Sequence, residues 1–299
     1  MNKVVVLGSI NVDMVMETQK LPRIGETILG NAIDYFMGGK GANQAVAVSR
    51  IGAKVELFGK VGDDTFGEKA LRHLENEKIN TAHISVEENI FTGVASIFRI
   101  NGDNSIVVLP GANMLFEDIS TLADCLQKED IFLTQLEIPL ETVGKGLRIA
   151  KEKGAVTILN PAPFDDRIVR HLDVIDIITP NETEFEGLIG HGVDETELET
   201  EMLAWSKKHQ TKLIVTRGAQ GVSYVWNDEV ITIPACKIEV LDTTGAGDTF
   251  NGILAALLSR KTDYQEAIRL ASIGASLSTT KIGAQTGMPT QKQLDKIKA

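Results

Sequence analysis

The strongest constraint on the fold is a rhythm in the sequence. Short runs rich in β-branched residues recur at residues 3–7, 54–59, 130–134, 156–159, 174–178 and 212–216, and they are apolar nearly throughout instead of alternating with polar residues. A strand wetted on one face alternates; a strand covered on both faces does not. Segments with helical spacing lie between these runs, at residues 42–51, 66–78, 140–153 and 197–209. Strand and helix repeated in this way predict a mostly parallel sheet with helices on both faces, an α/β fold of three layers, α/β/α. The last third of the chain predicts two strong helices over residues 246–259 and 264–281 and a short terminal one near 291–298.

Two regions break the rhythm. Residues 11–35 have strand-like composition without a helix pattern, and residues 92–109 read as two strands joined at Asn101-Gly102-Asp103, a hairpin turn by composition. Both are expected to be pieces of a small antiparallel sheet that projects from the main body, as a lid or as an ornamental extension. The chain carries no repeat, low-complexity tract or flexible linker, so residues 1–299 are expected to form a single domain.

A chain of 299 residues that is 43% hydrophobic can bury a large core. Its net charge of −11, from 30 basic and 41 acidic residues, argues against duplex nucleic acid and anionic lipid as partners. A small anion is still accessible, because a local ring of backbone N–H groups outweighs global charge. Cys125 and Cys236 are too few and too far apart for a disulfide framework or a zinc site. The N-terminal apolar run stops at Leu7, short of the about 7–15 residues of a signal peptide, and no run approaches the ~20 of a membrane helix, so a cytoplasmic location is expected. G-x-x-x-x-G-K-[ST], G-x-G-x-x-G, H-E-x-x-H and G-x-S-x-G do not occur. A nucleotide, if bound, is held another way.

The segment Asp242-Thr-Thr-Gly-Ala-Gly-Asp-Thr-Phe-Asn-Gly252 suggests how. Small residues Gly245, Ala246 and Gly247 stand directly before an apolar helix, where unbonded N–H groups and the helix dipole favour an anion. Asp248 follows in the first turn. It either caps the helix or accepts a proton from an attacking hydroxyl while the N–H groups stabilise charge on a transferred phosphoryl group. Gly38-Gly-Lys-Gly-Ala-Asn43 also opens a helix: its glycines admit a ligand close to the backbone, Lys40 can face phosphate and Asn43 can bond a hydroxyl, although a tight turn has the same composition. Asn11 and Asp13 follow the first strand, where open α/β sheets bind ligands, and can bond sugar hydroxyls or simply make a turn. Asn181 and Glu184, three apart at a helix start, suit either a capping pair or a water-mediated magnesium ion. Glu137 ends a buried strand, and the loop Thr216-Arg217-Gly218-Ala219-Gln220-Gly221 follows another.

Taken together and in this order, these segments resemble the PfkB-type carbohydrate kinases over essentially the whole chain, with GGKGAN near residue 40 and DTTGAGDTFNG near 250 standing where that family has its two signature regions. NVD at 11–13 and QLE at 135–137 are similar to the members that phosphorylate D-ribose. The resemblance implies a β-sheet lid over a sugar, ATP as donor with Mg2+, Asp248 as general base, and Gly245, Ala246 and Gly247 as anion hole. It places Asn11, Asp13, Gly39, Lys40, Gly41, Asn43 and Glu137 around the sugar. Asn181, Glu184, Thr216 to Gly221, Gly247 and Ser272 would meet ATP and its magnesium; Ser272 stands where relatives often carry His or Asn near the adenine. K+ or a similar monovalent cation would be surrounded by Asp242, Thr244, Ser278, Lys281, Gly283 and Gly287, mostly through carbonyls. A homodimer through the lid is also implied.

Alternatives remain at this point. Another sugar kinase of the same family, acting on deoxyribose, fructose, ketodeoxygluconate or a nucleoside, shares the Asp248 motif. A non-catalytic sugar-binding regulator would be free to lose that motif, which this chain keeps.

Overall fold

The structure, a computed structural model, describes residues 2–100 and 103–298. Among these residues a nine-stranded sheet runs in the order β13 (Glu229–Ile233), β12 (Val222–Trp226), β11 (Lys212–Thr216), β10 (Ile177–Ile178), β9 (Val156–Leu159), β8 (Ile131–Thr134), β1 (Val4–Leu7), β4 (Val55–Gly62), β5 (Ile84–Glu87). From β5 to β11 every neighbouring pair is parallel, and β12 and β13 then add an antiparallel hairpin at the edge. Helices α1 (Lys40–Arg50), α2 (Thr65–Asn76), α7 (Ala246–Ser259), α8 (Tyr264–Ser278) and α9 (Gln291–Lys298) cover one face; α3 (Leu122–Cys125), α4 (Leu140–Glu152), α5 (Glu182–Ile189) and α6 (Leu198–Lys208) cover the other.

Strand β1 shows why its run does not alternate. Val4 and Val6 join the core under α1 and α7, Val5 and Leu7 join the core under α4, and all four are fully buried. Helix α7 is buried nearly all round, which fits the apolar run from Ile253 to Leu258. Within the sheet β1 has β4 on one side and β8 on the other, so the chain leaves β1 in one direction and returns to its opposite flank. The carboxyl end of β1 is therefore the switch point, where a crevice opens.

A second sheet has the order β3 (Ala32–Gly38), β2 (Asn11–Glu17), β6 (Gly93–Ile100), β7 (Asp103–Leu109). Its residues are those expected, but it is mixed and not antiparallel: β2 pairs antiparallel with β3 and parallel with β6. Strand β6 enters beside β2 from the far side of the β4–β5 connection, a non-local pairing that neither sequence stretch encodes alone. The Asn101-Gly102 turn lies outside the described residues, although β6 and β7 pair antiparallel up to Ile100 and Asp103. The small sheet is rooted to the body by polar side chains. Asp64, the N-cap of α2, accepts from Thr92 N at 2.8 Å and Thr92 Oγ1 at 2.7 Å. Asn113 donates to Ile10 O at 3.1 Å and accepts from Ile10 N at 2.9 Å.

Other differences from the expectation are local. Residues 166–174 are a 3-10 helix, so the expected strand at 174–178 shrinks to Ile177–Ile178. Helix α8 ends at Ser278, three residues early. The β12–β13 hairpin was not anticipated; its turn at Asn227-Asp228 has both residues at positive φ, 49° and 62°, which Asn and Asp tolerate.

Candidate functional site

Three helix N-termini face the crevice beyond β1. Helix α1 begins after Gly39, whose φ is 86°; a Cβ there would stand 2.6 Å from Asn11 N, so glycine is required by both conformation and space. The first turn of α1 is capped from outside. Lys40 N donates to Glu137 Oε2 at 3.1 Å, Ala42 N donates to Ser9 O at 2.9 Å, and Gly41 N reaches Ser9 Oγ at 3.4 Å. Ser9 Oγ also donates to Glu137 Oε2 at 2.6 Å, which leaves Glu137 Oε1 without a partner among the described residues.

Asn11 and Asp13 lie at the start of β2, not at the end of β1, and both are buried. Asn11 Oδ1 accepts from Asn113 Nδ2 at 2.7 Å, which directs its own amide N–H groups elsewhere. The Asp13 carboxyl lies against Gly38 and is pushed up to about 7 by burial first, then by Glu137 and Asp248; Lys40 opposes this. Lys40 is held above its ordinary value: burial works against its charge, but Asp248, Glu137, Glu184 and Asp13 together outweigh burial. One lysine thus sits among four carboxylates, and the predicted sugar residues Asn11, Asp13, Gly39, Lys40, Gly41, Asn43 and Glu137 are brought together with Asp248.

Helix α7 follows Gly245, in the left-handed conformation with φ 76°, and no side chain among the described residues caps it. Asp248 therefore does not act as the cap. Its carboxylate is buried and turned toward α1, where Oδ2 accepts from Asn43 Nδ2 at 2.8 Å and Oδ1 from Gln44 Nε2 at 3.0 Å. Ala246 N donates to Thr243 O at 3.2 Å, so the expected triplet of open N–H groups loses its middle member; Gly245 and Gly247 have no acceptor among the described residues. Beside Gly247 the space is open.

Asn181 and Glu184 form a reciprocal capping box: Glu184 N donates to Asn181 Oδ1 and Asn181 N donates to Glu184 Oε2, both at 2.8 Å. The capping alternative is thus realised. Glu184 is pushed up by desolvation, and its charge is felt by Lys40, so this pair also borders the crevice. Thr216 is bridged to Asn181 across the sheet, and residues Gly218–Gln220 make a 3-10 turn whose Arg217 pairs with Glu182 at 3.1 Å. Ala219 and Gln220 are exposed and Gly221 is buried. Ser272 is buried in α8, accepting from Ser276 Oγ, and no hydrogen bond among the described residues ties it to the other predicted nucleotide residues.

The residues expected around a monovalent cation come from two loops. Asp242 joins them, accepting from Thr244 N and from Gly283 N, each at 2.9 Å, and hydrogen bonds and nearby Arg99 hold its carboxyl below the ordinary range against desolvation. Arg99 of β6 lies 3.8 Å from that carboxylate. The Ser278 hydroxyl turns back onto Ala275 O, leaving its carbonyl against Gly287; Lys281 is exposed. Sequence reasoning missed Gln44, Ser9 and Asn113. GGKGAN-Q placed Gln44 one residue beyond the motif, but its partner is 204 positions away.

The sequence profile described as pfkB family carbohydrate kinase matches residues 1–291. The chain is 39% identical to the ribokinase of Bacillus subtilis over 99% of each protein. It is 36% identical to the deoxyribokinase of Salmonella typhimurium, over 98% of this chain and 97% of that one. Among solved structures, Arabidopsis thaliana ribokinase complexed with ribose and ATP superimposes with a TM-score of 0.88 at 30% identity, over 99% of this chain and 98% of that one.

Proposed function

Because the chain belongs to the pfkB family of carbohydrate kinases, we propose that it is a ribokinase, transferring the γ-phosphoryl group of ATP to O5 of D-ribose to give D-ribose 5-phosphate and ADP. The observation that carries this reading is Asp248. It is buried at an uncapped helix N-terminus, yet both its oxygens are held by amides of α1 and none by the helix it begins.

The chemistry follows from that placement. The Asp248 carboxylate takes the proton of the 5-hydroxyl as its oxygen bonds to the γ-phosphorus and the bridging oxygen leaves with ADP. Charge on the transferred group falls on the N–H groups of Gly245 and Gly247, with Ala246 joining by releasing Thr243. The ribose hydroxyls bond Asp13, Asn11, Asn43, Lys40 and the free oxygen of Glu137, with Gly39 and Gly41 leaving room for the ring. The loop from Thr216 to Gly221, with Ser272, lines the nucleotide. Asn181 and Glu184 would hold Mg2+ through water, one Glu184 oxygen having no partner among the described residues, and the ion would neutralise phosphate charge. The carbonyls of Thr244, Ser278, Lys281, Gly283 and Gly287, with Asp242, suit K+, which would brace the loop before α7.

The small sheet acts as a lid that excludes water and prevents futile hydrolysis. Strand β7 presents Ile106, Val107, Val108 and Leu109, each about half exposed, and β3 presents Ile33 and Tyr35. An apolar lid surface of this kind supports a homodimer through the lid, with dimer mass expected in sedimentation and a monomer at micromolar concentration counting against it. Among the described residues no helix is long and apolar enough to cross a membrane.

The test is ADP release with MgATP against ribose, 2-deoxyribose, fructose, ketodeoxygluconate and adenosine, with and without potassium. Ribose activity that rises with potassium is expected. The deoxyribokinase relative favours 2-deoxyribose as the second reading, and activity on that sugar alone would replace ribose while keeping the Asp248 chemistry. Ribose binding without turnover on any sugar would point instead to a regulator.

A further inference from the structure

The two amides that hold Asp248 are themselves held, each by a glutamine. Gln285 Nε2 donates to Asn43 Oδ1 at 2.8 Å, and Asn43 Nδ2 donates to Asp248 Oδ2 at 2.8 Å. Gln135 Nε2 donates to Gln44 Oε1 at 2.6 Å, and Gln44 Nε2 donates to Asp248 Oδ1 at 3.0 Å. Both relays run donor to acceptor in one direction and end on the same carboxylate.

Direction matters because a side-chain amide has nearly the same shape either way round, so packing cannot choose between its oxygen and its nitrogen; only its partners can. An ionised carboxylate accepts and never donates. Asn43 and Gln44 must therefore present nitrogen to Asp248, and the glutamines must present nitrogen to them.

The outer ends of the relays are built differently. Gln285 Oε1 lies 2.7 Å from His73 Nε2, so that nitrogen carries the proton. Arg50, bidentate to Glu77, also donates to the backbone carbonyls of Gln285 and Met288 and fixes the loop that carries Gln285. Gln135 Oε1, by contrast, is buried with no partner among the described residues. Turning the Gln135 amide over would set oxygen against oxygen at Gln44 or, one link further, at Asp248. The unpartnered acceptor is the cost of keeping the relay's direction.

We propose that Gln285 and Gln135 are positioning residues for phosphoryl transfer: they fix the polarity of the Asn43 and Gln44 amides and so hold the Asp248 carboxylate with its free lone pairs toward the crevice. Neither glutamine touches the substrate. The proposal rests on the reading of Asp248 as the base.

Steady-state kinetics with ribose and MgATP test it from about pH 6 to about pH 9. Gln285→Met, similar in volume but without a donor, is expected to lower kcat about tenfold with both KM values within about threefold of wild type, and Gln135→Met to behave alike. Gln285→Glu, nearly isosteric with Gln but lacking its amide donor, is expected to lower kcat at least as far as Gln285→Met, again with both KM values within about threefold. A residue that only fills space would tolerate this change.

A Gln285→Met kcat within about twofold of wild type overturns the proposal. If circular dichroism shows the Gln285 variants unfolded, His73→Ala carries the test by removing only the outer donor of a half-buried residue. It should lower kcat about two- to threefold at unchanged KM, and a wild-type kcat overturns the proposal. Asp248→Asn separates the two levels. If it keeps turnover, the base assignment fails; if it abolishes turnover while the glutamine variants match wild type, only the relay fails.

Discussion

Helices α5 and α7 begin on the same crevice and solve the same problem in opposite ways. The N–H groups at the start of α5 are satisfied from within, by Asn181 and Glu184 of the helix itself. Helix α7 has an acidic residue in the same first turn but no side-chain cap, and that residue is pulled away by two amides of α1. A capped N-terminus has already used its donors. An uncapped one keeps them for a ligand, at the expense of needing other parts of the chain to hold it in place. Helix α1 is intermediate, closed from outside by Ser9 and Glu137. The difference teaches that composition at a helix start does not reveal its use; the destination of the nearest carboxylate does.

The comparison can be broken most directly at Asp248. Asp248→Asn should cut turnover by about 10²-fold or more while ribose affinity, read by calorimetry, stays nearly intact. Near-normal turnover would mean that α7 is merely a helix with a missing cap.

The second test uses the burial of Asp13 and the carboxylates that crowd it, chiefly Glu137 and Asp248. The Asp13 carboxyl is pushed up to about 7 from an ordinary 3.8. A group whose folded value is raised binds more protons folded than unfolded, so its stabilising contribution is full below the unfolded value and is lost as pH rises through about 7. Asp13→Asn should therefore raise thermal stability at pH 8 relative to wild type, by on the order of 2–4 kcal/mol, with the difference vanishing toward pH 4, while ribose binding collapses. Equal melting curves at both pH values would remove the carboxylate crowding.

Gly245→Ala sharpens the comparison from the backbone side. A Cβ there would stand 2.7 Å from Ala284 O, at a φ of 76°. A loss of roughly 1–3 kcal/mol is expected, with a larger fall in kcat than in ribose affinity. The smallest effect belongs to α5: Asn181→Ala should cost about 1 kcal/mol through the lost cap, with a rise in the KM for MgATP but not for ribose. A change confined to ribose would place α5 on the wrong side of the crevice.

These features were unequally visible in the sequence. The parallel strands could be read because burial on both faces leaves unbroken apolar runs such as Val4 to Leu7. The Asn181-x-x-Glu184 box was equally legible, because its chemistry is local. The Asn227-Asp228 turn carried a signal too, in two residues that accept positive φ between apolar stretches. The parallel pairing of β2 with β6 was not legible, since it joins segments about 80 residues apart through register alone. The amide relays were hidden more deeply. Glutamine and asparagine carry no charge, show no periodicity and are common on surfaces, so nothing in their spacing marks Gln44, Gln135 and Gln285 as one unit. The sequence pointed to Asp248 and the residues beside it, and left out what holds its carboxylate still.

The packing of α1 on α7 has a further consequence, for when activity begins. Gly252 brings the two helices so close that a Cβ would stand 2.5 Å from Ala47 Cβ, and the contacts of Asp248 reach residues 204 and 205 positions earlier in the chain. During synthesis at about 5–20 residues per second, Asn43 and Gln44 wait ten seconds or more for the carboxylate they orient. Until α7 docks, the apolar face of α1 has no cover, and such late, long-range closure slows folding and leaves the nascent chain open to aggregation. The same delay means that a growing chain cannot transfer phosphate before its last third has folded.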